Sequence, residues 1–121
     1  MLYVLPDSAG DILVVQATGK LTQEDFQEVL QAQIKKQLKP NHKLRVLLYL
    51  DHNLEDIDAT SNWHHSEFIQ ACNAEVIRVA IVADSNWDNW SNTFQQHTPI
   101  AKHFCVSDFL KALHWLDELN I

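Results

Sequence analysis

Glycine is almost missing from this chain: Gly10 and Gly19 are the only two in 121 residues. A loop that cradles phosphates needs clustered glycines so that backbone amides can close on the anion, and a nucleophile elbow needs glycine on both sides of its serine. Neither nucleotide chemistry nor a hydrolase of that kind is expected. Cysteine is equally scarce. Cys72 and Cys105 stand alone, with no Cys-x-x-Cys pair, which argues against a disulfide scaffold or a zinc knuckle and predicts two reduced core thiols. Long apolar runs are missing too. The longest, residues 1–5, 46–50 and 79–83, have five residues each, against the ~20 that cross a bilayer. Positive charge is the last shortage: nine Lys and Arg face sixteen Asp and Glu, a net charge of −7. That balance repels phosphate backbones and anionic headgroups, so nucleic acid is not expected as a partner. The opening run Met1-Leu2-Tyr3-Val4-Leu5 has no positive flank and ends at Pro6 and Asp7, unlike a secretory signal, and a cytoplasmic location is expected.

What is present suits one domain, since a chain of this length buries roughly two-thirds of its unfolded surface. Seven histidines are unusual, and protonating all of them would bring the charge from −7 to about zero. Residues 2–5 and 12–18 read as strands joined across Pro6-Asp7-Ser8-Ala9-Gly10, an antiparallel hairpin. Thr22 opens a helix through a box-like cap with Asp25, and Phe26, Val29, Leu30, Ile34 and Leu38 form its apolar stripe. The nearly continuous apolar runs 44–50 and 76–83 predict central strands covered on both faces. Between them, residues 58–73 have helical length, with Trp63, Phe68, Ile69 and Cys72 as an untidy stripe. Ser85 is expected to cap a short helix carrying Trp87, Trp90 and Phe94. Residues 101–106 form a final strand, and Ser107 caps a last helix burying Phe109, Leu110, Leu113, Leu116 and Leu119. The order β-β-α-β-α-β-α-β-α predicts a single α/β domain. Its mixed five-stranded sheet has an N-terminal antiparallel hairpin, then parallel strands linked by right-handed helical crossovers.

Four phrases in this order resemble the SpoIIAA-like family, a relative of the sulfate-transporter and anti-sigma-antagonist (STAS) domain. They are Gly19-Lys20-Leu21-Thr22-Gln23-Glu24-Asp25-Phe26, Leu47-Leu48-Tyr49-Leu50-Asp51, Val79-Ala80-Ile81-Val82-Ala83-Asp84 with Trp87 and Trp90, and Ala112-Leu113-His114-Trp115-Leu116. The resemblance covers nearly the whole chain. It implies the mixed sheet above, a fold also similar to the CRAL-TRIO domain, a small-ligand-binding or membrane-associating activity, and a movable helix after the third strand. Signalling STAS proteins carry a phosphorylatable serine where that strand meets the helix. Here the stretch 51–61 has no such phrase, and Asp51, Glu55, Asp56 and Asp58 precede Thr60 and Ser61. A phosphate of about −1.5 to −2 would meet like charge there, so the phosphoswitch is not expected.

The aromatic residues Trp63, Phe68, Trp87, Trp90 and Phe94 follow the ends of two parallel strands, and in such sheets ligands bind in the crevice beyond those ends. Helix starts near Thr60, Ser85 and Ser107 offer free amides to an anionic head, and Ser61 stands beside Thr60 in the expected set. Asp51 and Asp84, at the strand ends, and His64 complete the expected ligand-binding set. The competing reading is ordinary core packing of aromatic stripes. A metal is not expected from His52, His64 and His65 with their acidic neighbours, because adjacent His64 and His65 point about a hundred degrees apart on a helix. A Ser61, His64 and Asp58 triad is not expected either, because sequence neighbours on one helical turn rarely give the nucleophile-to-base geometry. The expectation is therefore a non-enzymatic domain without cofactor or metal. It holds a small apolar or amphipathic, lipid-like molecule between the helices after strands three and four, gated by the Trp63 helix, with membrane contact peripheral at most. The alternative is a STAS-type protein-interaction module that dimerises or binds a regulator through its sheet edge or its Trp-bearing helices.

Overall fold

The computed structural model describes residues 1–5, 11–22, 24–37, 44–57, 76–97 and 100–117. Five strands form one sheet in the order β1-β2-β3-β4-β5: β1 Leu2–Val4, β2 Ile12–Leu21, β3 Leu44–Ile57, β4 Val76–Val82 and β5 Ala101–Phe104. β1 pairs antiparallel with β2, Tyr3 opposite Gln16, and β2 through β5 run parallel. After β2 a π-helical stretch, Asp25–Gln31, continues as α1, Ala32–Gln37. The helix α2, Asp88–His97, lies between β4 and β5, and α3, Phe109–Asp117, follows β5. This is the mixed α/β sheet expected from the sequence. The helix expected over residues 58–73 lies outside the described residues.

The period of two along each strand divides the core into two layers. Leu13, Val15 and Ala17 of β2, Leu44, Val46, Leu48 and Leu50 of β3, and Val79 and Ile81 of β4 face the π-helical stretch, α1 and α2, where they meet Leu30, Ile34 and Phe94. Val14, Leu47, Ala80 and Val82 point the other way, onto Ala112 and Leu116 of α3. Central strands buried on both sides explain why 44–50 and 76–83 read as nearly continuous apolar runs, broken only by Arg45 and Arg78.

Local signals around the helices hold in part. The cap at Thr22 forms as expected: the Asp25 amide donates to Thr22 Oγ1 at 3.2 Å, and Asp25 Oδ2 accepts from the Thr22 amide at 2.9 Å. The other two caps differ. Asp84, not Ser85, caps the 3-10 turn Ser85–Trp87 ahead of α2, its carboxylate accepting from the Asn86 amide at 2.9 Å. Ser107 sits inside a second 3-10 turn, Val106–Asp108, whose cap position is Cys105 with no side-chain bond. In both places the tight turn moves the helix entry upstream of the serine. β5 accordingly ends at Phe104, and Cys105 is exposed rather than a core thiol. Cys72 lies outside the described residues. On α3 the inward face is Phe109, Ala112, Leu113 and Leu116, while Leu110 is 73% exposed. One residue's step of about 100° carries Leu110 off that face.

β3 runs on to Ile57 instead of stopping at Leu50, because β2 continues past Gly19 to meet it. Gly19 pairs with Leu54, and Leu21 with Ile57, across register shifts on both sides of Gly19. Gly19 has φ +66°, and a Cβ added there would touch nothing within 4 Å. The cost of a side chain is thus conformational alone, roughly 1–2 kcal/mol for a left-handed residue. Gly19→Ala is expected to lower the unfolding free energy by about 1 kcal/mol in urea titration, and Gly19→Asn by less, since asparagine tolerates this region better.

Candidate functional site

The described half of the expected site is spread over the middle of β3, the end of β4 and the helix α2 with its entry turn. Phe94 is fully buried, as the competing core reading has it, and packs among the Leu and Val side chains beneath α2. Trp90, one turn earlier, stacks on it with ring centroids 5.2 Å apart and planes at 27°. Trp87 and Trp90 are half-buried and pack against the same cluster. The three rings follow from spacing alone, since positions 87, 90 and 94 fall on one helical face.

Asp84 caps the entry to this helix, its backbone oxygen also accepting from the Trp87 amide at 3.2 Å. Asp51 does not join the rings. It follows Tyr49 by two residues and binds Gln16, and both Tyr49 and the Gln16 neighbours Ile12 and Val14 belong to the layer facing α3. Only 4% exposed, Asp51 accepts from Gln16 Nε2 at 2.7 Å and from the Asn53 amide at 2.9 Å. Both carboxylate oxygens are therefore engaged within the fold. Thr60, Ser61, Trp63, His64 and Phe68 lie outside the described residues, as do Asp58 and His65. Of the remaining acidic and histidine positions, His52, Glu55 and Asp56 are exposed along the far end of β3. Among the described residues no three His, Cys, Asp or Glu side chains come together as a metal-binding group.

Two polar atoms in this region stand out. Trp90 Nε1 and Ser91 Oγ are buried without a hydrogen-bond partner among the described residues, and Ser91 is wholly enclosed. An indole nitrogen can only donate, so Trp90 offers an N–H for which the described residues supply no acceptor. Leaving such a group dry costs about 1–3 kcal/mol.

A residue that sequence reasoning passed over holds α2 in place. His103 Nε2 lies 3.0 Å from the Ala83 carbonyl oxygen at the end of β4, and its backbone amide donates to Gln95 Oε1 at 3.3 Å. Its Nδ1 lies 3.9 Å from Asp88 Oδ1. β5 is thereby tied to β4 and to both the first and the last turns of α2. The alternation in Ala101-Lys102-His103-Phe104 was the available signal, since it sets His103 on the face opposite Lys102 and Phe104.

No described helix is long and apolar enough to cross a membrane. No curated protein matches the chain. Among solved structures it is similar to an uncharacterised protein of the DUF3478 family from Shewanella loihica PV-4, described as having a SpoIIAA-like fold. The two share 21% identity over 95% of this chain and 93% of the other, with a TM-score of 0.67. That likeness carries the fold. The SpoIIAA-like family model matches residues 12–117, nearly the whole chain, and the chain belongs to the SpoIIAA-like family.

Proposed function

We propose that this chain is a cytoplasmic binding domain, without catalytic chemistry of its own, that holds a small amphipathic molecule beside α2 at the carboxyl edge of the sheet. The observation that carries this reading is the buried N–H of Trp90, without an acceptor among the described residues, beside Trp87 and Phe94 of the same apolar cluster. A ligand with an apolar body can lie against Trp87 and Trp90, and an oxygen on its head can accept from Nε1. The same contact relieves the desolvation penalty of the indole.

Native mass spectrometry of freshly purified protein, followed by solvent extraction, is expected to reveal a co-purifying small molecule. Decanoate serves as the probe for the polar contact. Trp90→Phe keeps the ring and deletes the donor, so it is expected to weaken decanoate binding about tenfold, the equivalent of one hydrogen bond of ~1.4 kcal/mol. Bare protein mass, together with no decanoate effect on tryptophan fluorescence at millimolar concentration, would remove the reading.

A second reading, a STAS-type interaction module, is favoured by the open edge at β1. Tyr3 and Val4 are exposed there, at 46% and 39%. β1 and β5 are the sheet's two outer strands, and the edge of β1 that no described strand pairs with can pair with a strand of another chain. Sedimentation equilibrium over a wide concentration range separates the two readings, because only edge pairing makes the mass rise with concentration.

A further inference from the structure

On the opposite side of the sheet from the α2 rings, cations gather in a chain that carries an excess of seven negative charges. Arg45 and Arg78 face each other directly in the register of β3 and β4, and Lys102 stands on β5 opposite Ala80, two residues on from Arg78. Like charges set across from one another destabilise a sheet unless something else holds them. Arg45 has its counter-charge in Asp117, 3.8 Å away. Arg78 and Lys102 have none among the described residues. Both converge on one indole instead: the Arg78 guanidinium lies 4.5 Å from the Trp115 ring centroid, and Lys102 Nζ lies 5.8 Å from it and 5.2 Å from the Phe104 ring.

One role of Arg78 is structural. Its Nη1 donates to the Trp115 carbonyl at 2.8 Å, which satisfies an end of α3. A guanidinium has five N–H donors, so the rest of the fork remains to be used. Lys102 is exposed, and among the described residues its interactions are with the Phe104 and Trp115 rings. We infer that Arg78 and Lys102, held on Trp115, form a binding site for a phosphate monoester group. The charge count selects that chemistry: a carboxylate balances one cation, whereas a phosphate monoester carries about −1.5 to −2 and balances both. The fork of an arginine matches two of its oxygens and a lysine adds a point charge. The site is independent of the ligand proposed beside α2.

Inorganic phosphate is the probe, titrated against thermal unfolding, with sodium chloride at matched ionic strength as the reference. Phosphate is expected to raise the melting temperature in a saturable way, as a ligand of the folded state does. Lys102→Gln is expected to weaken the apparent affinity about tenfold. Arg78→Gln should do likewise, but it also loosens α3, so the exposed Lys102 is the deciding variant. Vesicles then separate the sources of the group. Sedimentation with phosphatidylcholine vesicles containing phosphatidic acid, lost in Lys102→Gln, would support the site and assign the phosphate to a lipid headgroup. A saturable phosphate effect without vesicle binding would support it and assign a soluble phosphate monoester. A rise in melting temperature that is equal in wild type and Lys102→Gln is general salt stabilisation and overturns the inference, as does a response no greater than that to chloride.

Discussion

Phe94→Ala is expected to remove about 3–5 kcal/mol of stability, the range for truncating a buried aromatic ring. The ring is wholly enclosed, between the strands facing α1 and α2 on one side and the Trp90 indole on the other. Its loss leaves a cavity that rigid strands cannot collapse into, and it takes the floor from under Trp90. A domain of ordinary stability has about 5–15 kcal/mol in total, so a third or more of it should vanish. Urea unfolding followed by tryptophan fluorescence measures this, with Leu110→Ala as the companion variant. Leu110 is 73% exposed, so its truncation should stay within about 0.5 kcal/mol. Equal losses at the two positions would mean that α2 does not pack as described. The result also bears on function: if Trp90 presents its N–H only when stacked on Phe94, decanoate binding should fall in Phe94→Ala even where the protein remains folded.

Much of the fold was readable because burial on both faces writes itself as apolar runs, and residues 44–50 and 76–83 have no other economical explanation. The Thr22 and Asp25 cap was equally direct, since both halves of the reciprocal bond are short-range. Leu110 misled because leucine is apolar wherever it stands; only knowing that Phe109 begins the helix shows which turn it falls on. Ser85 and Ser107 misled because serine is a good cap in general, whereas a preceding 3-10 turn moves the cap position upstream to Asp84 and Cys105. The end of β3 was not legible at all. Leu54 and Ile57 are its buried positions, three residues apart amid charge, and no period of two survives an irregular register. Of the expected site, the α2 rings were legible from helical spacing. The unaccepted Trp90 nitrogen and the His103 tether were not, since each is defined by what lies around it in space.

Asp51→Ala carries the second large effect, and its sign of failure is informative. Between Ala17 and Gly19, β2 advances by two residues while β3 advances by four, from Leu50 to Leu54. Amides in that stretch lose their regular ladder partners, and the Asp51 carboxylate takes up one of them, accepting from the Asn53 N–H through Oδ1 while Oδ2 holds Gln16. Removing the carboxylate leaves two part-buried donors without this acceptor. Bonds to charged acceptors are worth about 1.5–3 kcal/mol each, and release of the buried charge offsets part of the loss, so a net destabilisation of about 2–3 kcal/mol is expected. Amide hydrogen exchange should accelerate selectively over residues 53–57, the far end of β3. Asp51→Asn should recover most of the stability, because its oxygen can still accept from Asn53 and Gln16 can turn its amide to accept from the new NH2 group. A ligand-contacting role would give the reverse pattern: Asp51→Ala would bind decanoate more weakly while unfolding and exchange stayed as in wild type. The two outcomes separate a carboxylate that shapes the strand from one that serves the site, and the engagement of both its oxygens within the sheet is why the first is expected.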